Sequence, residues 1–202
     1  GVGRSARPGG LAHCIEADHV NGYGEAVEKK TVIGLLLRSG RALFVRQGYA
    51  GTSTPEIVAS AGVTRGALYH HFSDKAALFT AVVEGERQAI AALIEDAEFG
   101  GLSAIETLIQ GGEAYLAAMR APGRTRLMLV EAPAVLPVNP AAGSVADRML
   151  TDGLRAAGIT EPAPLVTLLS AAYDRAALAI DQGVTPGPLR AALERLVRGV
   201  IP

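Results

Sequence analysis

The residues best equipped for chemistry crowd into one short stretch, "GVTRGALYHHF" at 62–72, which holds Arg65, Tyr69, His70 and His71. A guanidinium, a phenol and two imidazoles this close would suit a metal site, an acid–base centre or a surface that reads a polyanion. The metal option is weak. Adjacent side chains on a helix diverge by about 100°, and the carboxylate three or four residues away is Asp74 alone. A second group of ligand-type residues, His13, Cys14, Glu16, Asp18 and His19, has none of the spacings of a standard zinc site. "GVGRSA" at 1–6 imitates G-x-G-x-x-A, but no strand pattern precedes it and no βαβ unit follows. All four histidines fall in these two groups, and no G-x-S-x-G, P-loop or H-E-x-x-H pattern occurs. No catalytic residue, metal or cofactor is expected, and the chain does not read as an enzyme. Recognition is what remains for 62–72.

Composition bounds what can position that stretch. The 202 residues are 49% hydrophobic and only 4% aromatic, without tryptophan, a balance that favours packed helices over a β-sandwich. One cysteine, Cys14, excludes an internal disulfide framework and fits a reducing compartment. No uncharged apolar run reaches about 18 residues, and "GVGRSARPGG" lacks the apolar centre of a secretory signal. The expectation is a cytoplasmic protein without a membrane partner. Net charge is −1, unevenly divided. Residues 28–75 carry seven Lys/Arg against three acids, net +4, while 76–202 carry ten Arg against fourteen acids, net −4. A basic segment joined to an acidic one suits a chain that meets nucleic acid with one part.

Residues 1–27 are glycine-rich without sustained periodicity and read as a flexible N-terminal extension with one short helix at 11–19. Over 28–47 the apolar Val32, Leu35, Leu36, Ala42, Leu43 and Phe44 recur at helical spacing, and Gly48 stands where a C′ glycine ends a helix. "STPEIVASAG" opens on a capping box of Ser53 and Glu56, with Pro55 tolerated in the first turn. Gly62 ends that helix, Thr64 caps the next to about His71, and Ser73 or Asp74 opens a longer one to about Phe99. Residues 53–72 are thus a helix-turn-helix. Leu68 and Phe72 would face a core with Ile57, Val58 and Val63. Arg65, Gly66, Tyr69 and His70 share the opposite face, and His71 lies toward the core side. Further helices are expected over 102–121, 125–131, 140–157, 162–182 and 188–201, with "APAVLPVNP" as a loop. The chain reads as all-α, with a domain at 28–75 and a larger helical one at 76–202.

The stretch "ALFVRQGYAGTSTPEIVASAGVTRGALYHHFSDKAALFTAVVE", 42–84, resembles the N-terminal domain of the TetR/AcrR family of transcriptional regulators. It shares a helix ending LF…GY, a T/S-x-x-x-I segment, AGV, a [ST]-[RK]-G-x-[LI]-Y-x-[HY]-F helix and S-[KD]-x-x-L-F. "RLMLVEAPAVL" and "AAYDRAALAI" are similar, more loosely, to C-terminal segments of one branch. Gly40 and Val58 depart from the usual small helix former and Ala. The resemblance implies an N-terminal three-helix DNA-binding domain followed by a C-terminal helical ligand-binding and dimerisation domain. It implies that Ser53 and Thr54 touch phosphates, that Thr64, Arg65, Gly66, Ala67, Tyr69 and His70 face the major groove, and that Lys75 meets the DNA backbone. The role of His71 is a phosphate or a backbone bond. These roles fit the side-chain chemistry. Helix N-termini bind phosphate, and arginine can donate bidentately to guanine. Gly66 and Ala67 would let the helix approach the base edges.

The implied function is a ligand-responsive regulator, most simply a repressor, on a double-stranded, pseudo-palindromic DNA operator. The 162–182 helix is apolar over more than half its circumference, so a homodimer through it and 188–201 is expected. A small apolar or amphipathic effector would enter a pocket between 102 and 182, with Tyr115, Met119, Met128, Glu131 and Tyr173 as lining candidates. The alternative is a helical small-molecule-binding or enzymatic protein with a vestigial DNA-binding domain.

Overall fold

A computed structural model describes residues 31–97, 100–137 and 144–201. The extension at 1–27, its expected 11–19 helix and the ligand-type cluster at 13–19 lie outside the described residues. Ten helices are α1 (Val32–Gly51), α2 (Thr54–Ala61), α3 (Arg65–His71), α4 (Lys75–Glu95), α5 (Ala104–Met119), α6 (Arg124–Arg126), α7 (Ala132–Val135), α8 (Val145–Ala156), α9 (Ala163–Asp181) and α10 (Pro186–Gly199). A π-helical segment, Leu127–Glu131, joins α6 to α7. There is no strand among the described residues, so the fold is all-α.

Most helix starts are dictated locally by caps that satisfy otherwise orphaned N–H groups. Thr31 accepts from the Gly34 amide, Thr64 from Ala67 and Asp74 from Ala77. Ser53 with Glu56, Ser103 with Glu106 and Ser144 with Asp147 form reciprocal capping boxes. Asp74, not Ser73, therefore opens α4. Gly48 breaks α1 with φ of 77°, and one further turn carries the chain to Gly51. The "APAV" segment expected as loop is helical as α7, a direct continuation of the π segment with Pro133 near its start.

Of three packing centres, two share α4. Leu36, Phe44, Ile57, Leu68, Leu78 and Phe79 are fully buried between α1 and the start of α4. Phe79 packs edge-on against Phe44 at 5.0 Å. At Gly40 a methyl group would stand 3.3 Å from Leu78 Cδ2, so the glycine lets α1 lie close on α4. Leu127, from the π segment, is fully buried in this same centre. The second centre joins Ile90 and Ile94 of α4 to Leu116, Met119, Tyr173 and Leu193. Helix α4 thus serves both centres.

Between them Glu86 is completely buried. Arg41 Nε donates to its Oε1 at 2.6 Å and Arg124 Nε to its Oε2 at 2.5 Å. Arg124 also donates to the Ala118 carbonyl and Arg41 to that of Pro122. Burial pushes the Glu86 carboxyl up, but hydrogen bonds from Arg41 and Arg124 outweigh it and hold the group below the ordinary carboxylate range. Because the folded value is the lower one, this stabilisation is present above the unfolded value of about 4.3 and is lost as pH falls through the folded value. Replacing one partner of a buried ion pair costs on the order of 3–5 kcal/mol. Denaturant titrations should show Glu86→Gln destabilised by about that amount at pH 7, the gap to wild type narrowing below about pH 4. A gap independent of pH would contradict the assignment.

Candidate nucleic-acid interface

Helix α3 has seven residues, of which Leu68 alone is buried. The cap Thr64, with Arg65, Gly66, Tyr69, His70 and His71, is exposed, and Ala67 is half-buried. The Arg65 guanidinium lies 5.4 Å over the Tyr69 ring, so the two side chains present one joint surface. A methyl group on Gly66 would find nothing nearer than Thr64 Oγ1 at 3.9 Å, and the backbone there is bare. His71 does not turn toward the core. Helix α3 stops at His71 and Phe72 is extended, at φ −132° and ψ 126°, so Phe72 packs on the core and His71 remains outside with His70, ring centroids 4.9 Å apart.

Ser53 and Thr54 stand at the start of α2, exposed and half-buried respectively. The Ser53 hydroxyl donates to Glu56 Oε2 at 2.7 Å, and its hydrogen bonds, side-chain then backbone, hold the Glu56 carboxyl below its usual range. A negative charge thus already sits at this N-terminus. Lys75 differs from expectation more sharply. Its ammonium turns inward, donating at 2.8 Å to the carbonyls of both Tyr49 and Thr52 and lying 4.1 Å over the Tyr49 ring. It ties the start of α4 to the end of α1 and positions the helix-turn-helix from behind.

A cavity of about 600 Å³ opens between α4, α5, α8 and α9. Tyr115, Met119, Met128 and Tyr173 line it; Glu131 does not. Glu131 instead accepts from the Tyr49 backbone N–H at 2.9 Å and from Arg126 at 3.2 Å, against Gly48 of α1. The π segment sets this: Ala132 N–H bonds to Leu127 O, five residues back, and the extra residue in the turn swings Glu131 off the cavity face. Asp147 and Asp174 are among the lining residues missed in the sequence. The isolated acid in "AAYDRAALAI" was the available signal. Tyr115 donates to Asp174 Oδ1 at 2.5 Å, and Ser170 to Asp147 Oδ1 at 2.5 Å. Burial, then the Asp174 charge, pushes the Tyr115 hydroxyl up, and burial with Glu113 pushes Tyr173 up to about 12. Among the described residues no three His, Cys, Asp or Glu gather to hold a metal ion.

On the outer side of α9 and α10, Leu168 is 67% and Leu196 50% exposed. By length and composition the 19-residue α9 would suffice to cross a membrane. It also carries Asp174, Arg175 and Asp181.

Comparison with known proteins places this geometry. Residues 36–82 match the family described as "Bacterial regulatory proteins, tetR family". The Transposon Tn10 TetC protein of Escherichia coli is 37% identical over 83 residues, 40% of this chain and 42% of TetC. The HTH-type transcriptional regulator AcrR of Shigella flexneri is 55% identical over 42 residues, 21% of this chain and 20% of AcrR. The chain therefore spans less than half the length of these curated relatives. A solved TetR-family transcriptional regulator of Pectobacterium atrosepticum is similar more widely, with a TM-score of 0.56 at 29% identity over 84% of this chain and 91% of that one.

The geometry separates two cations that look alike in sequence. Hydrogen bonds to a charged group contribute roughly 1.5–3 kcal/mol, so Lys75→Met should lower the calorimetric melting temperature by several degrees. Arg65→Ala, on an exposed face, should shift it by no more than about a degree. Equal shifts would show that Lys75 is not part of the scaffold.

Proposed function

We propose that this chain, whose residues 36–82 belong to the tetR family of bacterial regulatory proteins, is a ligand-responsive transcriptional repressor of the cytoplasm. It binds a pseudo-palindromic operator as a homodimer and leaves it when a small apolar or amphipathic effector binds. The observation that carries the reading is α3: a short capped helix anchored by Leu68 alone, with its polar side chains outward on a segment of net charge +4. Arg65 reads a guanine edge, Tyr69 packs on a thymine methyl or a phosphate, and the bare Gly66 with small Ala67 admits the helix to the major groove. Thr64, His70, His71, Ser53 and Thr54 position the protein on phosphates, while Lys75 acts through the scaffold.

The exposed leucines of α9 and α10 support dimerisation, since pairing the two helices with their two-fold copies buries that surface in a four-helix bundle. Two recognition helices about 34 Å apart then demand a two-fold-related operator. The cavity supports an effector site, being of the size that encloses a small molecule. Coupling runs through the π segment, where Met128 and Leu129 line the cavity and Glu131 holds the end of α1. A ligand that moves this turn must bias the helix-turn-helix by its own preference between the two states, typically 1–3 kcal/mol.

Two experiments test the reading. On DNA selected from a random pool by the full chain, Arg65→Ala should cut the preference for selected over random sequence by roughly 5- to 150-fold, the equivalent of ~1–3 kcal/mol. Equal losses on both DNAs would refute the base contact. For the coupling, Glu131→Gln should change operator affinity several-fold while thermal-shift binding of apolar ligands stays as in wild type. A loss of ligand binding without a change in operator affinity would reverse the assignment.

A further inference from the structure

We propose that the inner wall of the α5–α8–α9 cavity is built for a hydrophobic organic cation, a protonated amine on an apolar body, held by Asp174 with Asp147 near it. This rests on the reading of the cavity as an effector site and gives that effector its charge.

Asp174 takes a hydrogen bond from Tyr115 on Oδ1, and among the described residues none reaches Oδ2. The Asp147 oxygens are filled by the Ser170 hydroxyl and the Ser144 N–H. These are neutral donors. No ion pair to either aspartate forms among the described residues. Burial, offset in part by the Tyr115 hydrogen bond, holds the Asp174 carboxyl above its usual range, and the Asp147 charge adds to this. Tyr173 adds an aromatic face to the same cavity. It is only 6% exposed. A methyl group on Gly112 would fall on its hydroxyl and ring, with three of their atoms within 2.4 Å. The glycine makes room for the tyrosine.

Cationic side chains of the lining are at the rim. Arg87 and Arg148 are exposed, and Arg87 pairs at 3.8 Å with Glu84. The interior therefore has two carboxylates, two tyrosines and the apolar surface of Ile90, Ile94, Met119 and Met128. A carboxylate in such surroundings lacks a counter-charge that a ligand ammonium supplies, and tyrosine faces attract the same cation. A carboxylate-bearing ligand would meet two like charges.

The test uses the full chain and three ligands sharing one body: 4-phenylbutylamine, 4-phenylbutan-1-ol and 4-phenylbutanoate, titrated calorimetrically at pH 7. The amine should bind at least tenfold tighter than the alcohol, and the carboxylate should be weakest. Asp174→Asn should erase the difference between amine and alcohol while the alcohol keeps its wild-type Kd. Asp147→Asn should narrow that difference, and decides the matter should the first variant fail to fold. If amine and alcohol bind wild type equally, or both variants keep the full preference, the cation assignment is overturned and the effector cavity stands. If none of the three binds, the cavity reading falls and the assignment with it.

Discussion

Everything between the two packing centres that share α4 turns on one carboxylate. Glu86 leaves α4 into a space with no access to solvent, and the guanidiniums of Arg41 and Arg124 close on its two oxygens from α1 and α6. Apolar helices packed on one another tolerate small slides, because dispersion and burial are nearly indifferent to register. Charge-assisted hydrogen bonds are not, since distance and angle both matter. The same guanidiniums reach the carbonyls of Ala118 and Pro122, and Thr125 holds that of Met119. The end of α5 is thereby locked to α1 and α4 at one node, and Met119 on the cavity wall sits beside it.

A second link between the halves has a different character. Glu131 reaches the backbone at Tyr49, beside the left-handed Gly48, from a part-buried position on a π turn. The π geometry has poorer hydrogen bonding than an α-helix and tends to occur where function requires it. One contact with α1 is buried and charge-locked; the other is shallow and carried by a turn with an alternative winding. The end of α1 is thus held from two sides, by Lys75 of α4 and by Glu131 of the π turn, and α2 follows directly from it.

What the sequence revealed and what it hid divide along the same line. The helix-turn-helix was legible because its boundaries are set by local chemistry: Ser53 with Glu56, Gly62 in a left-handed turn, and Thr64 and Asp74 as caps. None of those needs a distant partner. Lys75 and Glu131 were misplaced because their partners, at Tyr49 and Thr52 for the one and Tyr49 for the other, are far along the chain. A charge near a recognition helix reads as a DNA contact until the fold shows a carbonyl waiting for it. The π turn hid Glu131 further, since periodicity arguments assume 3.6 residues per turn throughout. Tyr115, Met119 and Tyr173 reach the cavity from regular helical faces, and Met128 from the start of the π segment. Asp174 was overlooked because a single acid in a mostly apolar helix looks like its solvated edge.

Because Leu68 alone anchors α3, the outward positions have almost no duty to the fold. Substituting them leaves the core, the caps of the neighbouring helices and the Glu86 node untouched. Duplicated copies of such a gene could drift at 65, 69 and 70 without passing through unfolded intermediates. Each would present a different outer face on α3 over the same scaffold. In this architecture a change on the outer face of α3 does not put folding at risk.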